Sequence, residues 1–124
     1  MYQVIQTGNA PAAIGPYSQA LVLKDLLFSS GQIPINPADG QIVQGDIKVQ
    51  AEQVMKNISG ILEAAGITFG NVVKTTCFLK NMEDFSAFNG VYAKYFISRP
   101  ARSCVEVARL PKDVLCEVEV IAAL

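Results

Sequence analysis

Arg102, Glu117 and Glu119, all toward the C-terminal end, are residues whose types could do chemistry on a small molecule. Arg102 lies in the run PARSCVEVARLP at the entry to a strand-like segment. A guanidinium there can hold a carboxylate through two parallel hydrogen bonds, although a solvated surface arginine needs no such role. Glu117 interrupts a mostly apolar strand pattern, and a partly buried carboxyl of raised pKa would act as general base on a water. Glu119 fits the same pattern, either glutamate reads equally well as a paired or edge-exposed one, and spacing alone does not choose between them. Asn89 falls between Phe85 and Tyr92 at the margin of a helical stripe, placed to orient a ligand or to satisfy a core edge. Tyr17 follows Gly15-Pro16 and presents its phenol either to a pocket or to a subunit contact. Ser30-Gly31, leaving a strand, offers a hydroxyl and an accessible amide to an oxyanion, or is a plain turn. Cys104 has no histidine and no evident cation partner to lower its pKa, which argues against a nucleophilic role.

What the chain lacks narrows the chemistry further. It contains no histidine, which excludes Ser-His-Asp and Cys-His catalysis and histidine-bearing zinc sites. Cys77, Cys104 and Cys116 are odd in number and widely spaced, with no C-x-x-C pair, so neither a disulfide scaffold nor a zinc knot is expected. No metal site is expected. Ten Lys and Arg stand against eleven Asp and Glu, without a basic cluster, so no nucleic-acid partner is expected. No apolar run approaches the roughly 20 residues of a membrane span, and the N-terminal residues do not read as a targeting signal. A cytoplasmic protein without a membrane partner is the expectation. With 124 residues, 51% of them apolar and 17% charged, the chain reads as one folded domain over residues 1–124.

The elements that must position these residues follow from pattern. Gln19–Leu23 and Leu26–Ser30 read as two strands around a tight turn at Lys24–Asp25, followed by a loop over Pro34–Gly40. From Asp46 the period becomes helical: Ile47, Ala51, Val54, Met55, Ile58, Ile61, Leu62 and Ala65 share one stripe, with Asp46 or Gly45 as cap and Gly66 as stop. Val72–Leu79 is β-branched and reads as a strand. A helix is predicted over Met82–Phe96, with Phe85, Phe88, Tyr92, Tyr95 and Phe96 inward. Strands near Ser103–Ala108 and Val114–Ala122 close the chain. The order ββαβαββ makes an α+β domain, two helices covering one face of a sheet. In the last strand Cys116, Val118, Val120 and Ala122 oppose Leu115, Glu117, Glu119 and Ile121; in the middle strand Val73, Thr75, Cys77 and Leu79 oppose Val72, Lys74, Thr76 and Phe78. Both faces are apolar and only one has helices, so a closed homo-oligomer with a pocket between subunits is expected.

Four segments in order, NAPAAIGPYSQ, SGQIPINP, KTTCFLKNMEDFSAFN and PARSCVEVARLPKDVLCEVE, resemble the YjgF-type Rid family of reactive-intermediate deaminases over essentially the whole chain. The resemblance implies a two-layer, chorismate-mutase-like α+β sandwich with a mixed sheet, assembled as a homotrimer. It implies hydrolysis of 2-aminoacrylate/2-iminopropanoate and 2-iminobutanoate to 2-oxo acids and ammonia, without a cofactor and downstream of pyridoxal-phosphate dehydratases. By position, Arg102 matches the arginine that holds the substrate carboxylate and Glu117 the glutamate that works on water, while Tyr17, Ser30, Gly31, Asn89 and Cys104 match residues of a cleft between subunits. The ISR connection between Phe96 and Pro100 is a few residues shorter than is usual for the family. A non-catalytic 2-oxo acid binding module is the main rival reading. A ribonuclease or translation-inhibitor activity is disfavoured by charge, and retention of Glu117 favours catalysis.

Overall fold

The computed structural model describes residues 1–124. From the N-terminus the elements are β1 (Tyr2–Ile5), β2 (Ala20–Leu23), β3 (Leu26–Ser29), β4 (Ile35–Asn36), β5 (Gln41–Ile42), α1 (Ile47–Ala64), β6 (Val72–Leu79), α2 (Phe85–Tyr95), β7 (Ala101–Glu106) and β8 (Cys116–Ala123). Six strands form one sheet in the order β1-β2-β3-β8-β6-β7, and β4 pairs with β5 in a separate two-stranded ribbon. Every pairing in the large sheet is antiparallel except β6 with β7, which α2 connects as a crossover. The sheet is therefore mixed, with both helices on one face, as the α+β reading anticipated.

Helix α1 starts where the Asp46 carboxylate accepts from the Val49 N–H at 3.1 Å. It stops at Gly66, where the N–H groups of Gly66 and Ile67 return to the carbonyls of Glu63 and Leu62. Its predicted stripe is the buried one, and only Ala65 at its end is half-buried. Val54, Met55, Ile58 and Ile61 pack with Phe88 and Tyr92 of α2 onto Cys77, Leu79, Val118 and Val120 of the sheet. The opposite face carries exposed Val4, Leu23, Leu26, Phe28 and Val105.

Several local expectations change. Residues 2–5 form a strand at the sheet edge, although only Ile5 of the four is buried. A one-sided edge strand that is mostly exposed carries little hydrophobic pattern. The Pro34–Gly40 loop contains β4 and leads into β5. The second helix is preceded by a 3₁₀ turn over Met82–Asp84, so α2 proper begins at Phe85. Strand β7 begins at Ala101 rather than Ser103 and ends at Glu106, and β8 begins at Cys116. The register of β6 shifts between Val72 and Lys74. Val72 therefore joins Thr75, Cys77 and Leu79 on the helix side while Val73 is exposed, the reverse of simple alternation.

Candidate active site

Glu117 lies on the sheet face that the helices leave open. Its register partner on β6 is Phe78, whereas its neighbours Cys116 and Val118 are buried under the helices. The carboxylate makes no ion pair. Burial pushes its pKa above the ordinary glutamate value, and the nearby charge of Glu119 adds to the rise. Glu119 itself is exposed, so the strand gives the two acids different environments.

Beside Glu117 runs the segment Ser30–Gln32. Gln32 pairs with Val118 through two backbone bonds, N–H to Val118 O at 2.8 Å and Val118 N–H to Gln32 O at 3.1 Å. This brings Gly31 so close to Glu117 that a Cβ there would lie 2.8 Å from the carboxyl carbon and overlap one oxygen outright. Ser30 is anchored on its other side: its N–H donates to Gln19 O at 2.9 Å and its hydroxyl to Ser18 O at 2.6 Å. The Ser30 hydroxyl is thus committed as a donor, and it is the Gly31 N–H that makes no bond within the chain.

Helix α1 braces this wall with polar side chains. Asn57, fully buried, donates to the carbonyls of Ile33 and Ile35 at 3.1 and 2.9 Å. Gln50 donates to Val43 O at 3.0 Å and accepts from Leu115 N–H at 2.8 Å, two residues before Glu117. Gln19 bonds to Thr7, Ala10 and Pro11, tying down the segment that leads to Tyr17. The result is a cavity of about 680 Å³ whose lining includes Tyr17, Ser30, Gly31, Gln32, Lys112 and Glu117. Tyr17 is 54% exposed and forms an outer edge of the cavity.

Arg102 sits elsewhere. On β7 it registers with buried Thr75 of β6, and Cys104 registers with buried Cys77, so both belong to the helix side of the sheet edge. The Arg102 guanidinium lies over the rings of Tyr92 and Phe85, 4.7 and 5.4 Å from their centroids. Its Nη1 donates to Asn89 Oδ1 at 2.7 Å. Tyr92 is fixed in turn by a 2.8 Å hydrogen bond between its hydroxyl and that of Thr75. Asn89 is neutral, so the guanidinium keeps an uncompensated charge and free N–H groups. Arg102 and Asn89 line a second cavity of about 530 Å³.

The chain therefore carries two separate groups of candidate residues on opposite faces of the sheet. Tyr17, Ser30, Gly31 and Glu117 are together; Arg102, Asn89 and Cys104 are together; the structure does not join the groups within one chain. Sequence reasoning missed Tyr92 and Phe85 as the platform under Arg102. Their spacing with Asn89 on one helical face was visible, but which strand crossed that face was not. It also missed Gln32, whose pairing with Val118 sets Gly31 against Glu117. The Cys104 thiol has a raised pKa because it is partly buried; the charge of Arg102 opposes this and only partly offsets it. Cys77 beside it is pushed up to about 12, again by burial.

Residues 7–124 match the family described as Endoribonuclease L-PSP. A RutC family protein of Pyrococcus horikoshii is 58% identical to the chain over 98% of each sequence. The 2-iminobutanoate/2-iminopropanoate deaminase of Escherichia coli K12 is 51% identical, also over 98% of each. A solved structure of a Rid family protein of unknown function from Yersinia pestis superposes with a TM-score of 0.97 at 52% identity, covering 100% of both chains. Agreement in sequence and fold along the whole length leaves one assignment: the chain belongs to the Endoribonuclease L-PSP family, the YjgF-type Rid proteins.

Proposed function

We propose that this protein is a deaminase that hydrolyses 2-aminoacrylate/2-iminopropanoate and 2-iminobutanoate to 2-oxo acids and ammonia. The observation that carries the reading is Glu117: a half-buried carboxylate of raised pKa, without an ion-pair partner, facing a cavity beside a free backbone N–H. A carboxylate left without a cation partner and made more basic by burial suits the role of general base on a water. The relative named as a 2-iminobutanoate/2-iminopropanoate deaminase supports the same chemistry.

Arg102 binds the substrate carboxylate, and its stacked, Asn89-tethered guanidinium enters the encounter already oriented. Asn89 and Cys104 shape that side of the cleft; Tyr17, Ser30 and Gly31 shape the side of Glu117. A site using both halves takes them from neighbouring copies, so we place it at the subunit contacts of a homotrimer of single Rid-type domains. The exposed apolar row Val4, Leu23, Leu26, Phe28 and Val105 is the surface such an assembly would cover. Water near Glu117 adds to the C=N carbon of the protonated imine while the carboxylate takes its proton. Glu117 returns that proton to the carbinolamine nitrogen, the C–N bond breaks, and ammonia leaves as the hydroxyl gives its proton back to the carboxylate and becomes the carbonyl, with no cofactor required for the step. No helix is long and apolar enough to cross a membrane, and we assign the protein to the cytoplasm beside the pyridoxal-phosphate dehydratases that release such imines.

Hydrolysis of a small imine is preferred to the RNA cleavage in the family description for an electrostatic reason. The chain has a net charge of −1, with ten basic against eleven acidic residues, a balance that gives little attraction for a phosphate backbone. The test couples a serine/threonine dehydratase to the protein and follows 2-oxo acid and ammonia release. Acceleration by the wild type, reduced at least 100-fold in Arg102→Ala, is expected. Equal acceleration by the variant refutes the assignment, and no acceleration with 2-oxobutanoate still bound points to a sensing module.

A further inference from the structure

We infer that the cavity around Arg102 recognises doubly anionic 2-oxo and 2-imino acids, with Arg99 as the anchor for the second carboxylate. The inference rests on the deaminase reading for turnover, but its recognition step stands on the cavity itself. Eight residues line that cavity: two are arginines, Arg99 and Arg102, and none is acidic. The chain's two ion pairs are Lys80–Asp113 and Lys94–Glu52, so neither arginine is neutralised by a carboxylate. The polar partner of Arg102 is the uncharged Asn89 oxygen. Two uncompensated cations on one wall repel each other, and a dianion spanning them relieves the repulsion while satisfying both guanidinium forks.

The chain holds Arg99 at this wall through a tight turn. After α2 ends, Ile97 N–H returns to Tyr95 O at 3.0 Å and Arg99 N–H to Phe96 O at 3.1 Å. Arg99 has φ of 53°, a left-handed conformation uncommon for a residue with a side chain, and it immediately precedes Pro100. This turn carries Ile97, Arg99 and Pro100, all of which line the cavity. The remaining lining (Tyr92, Ala93, Phe96, Ile97) is largely apolar and suits the short carbon chain between two carboxylates. The assigned substrates are therefore imines of acidic amino acids in addition to those of small neutral ones. Turnover balances as for any imine: the protonated C=N carbon gains water oxygen, the C–N bond breaks, and 2-oxo dicarboxylate and ammonium leave.

The test compares 2-oxoglutarate with 2-oxopentanoate, ligands of equal chain length that differ in the second carboxylate. Calorimetric titration of the intact wild-type protein at low salt should show the dianion bound roughly three- to fivefold more tightly, the range of one partly exposed charge pair. The preference should decline as salt is raised, fall to near unity in Arg99→Ala, and return in Arg99→Lys. Equal affinities in the wild type, or a preference that survives Arg99→Ala, overturn the inference. The dehydratase-coupled assay separates this from the parent reading. Hydrolysis of 2-iminobutanoate without an Arg99-dependent dianion preference sinks this inference alone. A preference without any imine hydrolysis keeps the anion site and overturns the substrate assignment together with the deaminase reading.

Discussion

Replacing Gly31 with Ala adds one methyl group at the point where the backbone passes Glu117. The new Cβ would sit 2.8 Å from Glu117 Cδ and 3.1 Å from Cγ, and closer still to one carboxylate oxygen. Ordinary contact begins near 3.4 Å, so the carboxyl carbon must retreat by at least 3.4 − 2.8 = 0.6 Å and the oxygen by more. Gly31 is not among the residues with positive φ, so alanine fits its backbone and the cost falls on the Glu117 side chain. A base displaced on the order of 1 Å costs about 100-fold in rate, or roughly 2.7 kcal/mol of transition-state stabilisation. Stability should change little, because the displaced group is the flexible end of a half-exposed side chain. The dehydratase-coupled assay reads the rate, and a thermal melt at fixed protein concentration reads the stability. The double variant Gly31→Ala/Glu117→Asp, one methylene shorter, should lose less than the sum of its parts. Wild-type turnover in Gly31→Ala would refute the placement of Glu117 as the base.

Further outcomes follow from the same geometry. In the proposed mechanism the ionised form of Glu117 is the active one, so activity should fall as pH drops through its raised pKa; Glu119→Gln, removing the second cause of the rise, should move this acid limb to lower pH. An unmoved limb in a pH–rate profile would count against Glu117 as the titrating group. Phe28→Glu on the open sheet face should yield a monomer by size-exclusion chromatography with light scattering, with deaminase activity lost because the half-sites separate. A trimer that persists in this variant would mean that the face lies outside the contact. Asn57→Ala leaves the carbonyls of Ile33 and Ile35 without their buried donor and should cost about 2–4 kcal/mol in urea unfolding. A loss under about 1 kcal/mol would contradict the bracing role of Asn57.

Local order was legible from the chain alone because its causes are local. The stripe of α1, its Asp46 cap and the Gly66 stop depend on residues within a few positions of one another. The alternation along β8 likewise separated Glu117 from Cys116 and Val118 by nothing more than the pleat of a strand. The absence of histidine restricted the chemistry before any shape was known. Motif order also pointed to Arg102 and Glu117, whereas pattern left Glu117 and Glu119 equal.

Pairing over long separations decided the rest. The strand at Tyr2–Ile5 exists because β2 offers it an edge, and its own residues are too exposed to announce it. The bulge at Val73 inverted two positions of β6 that strict alternation would have assigned wrongly. Most consequentially, the parallel register of β7 on β6 set Arg102 opposite Thr75, on the helix side, where Phe85, Asn89 and Tyr92 receive it. A slip of one residue would have turned Arg102 to the face that carries Glu117. Such parity is invisible within either strand, since it arises from hydrogen bonds between segments that the chain brings together only by folding.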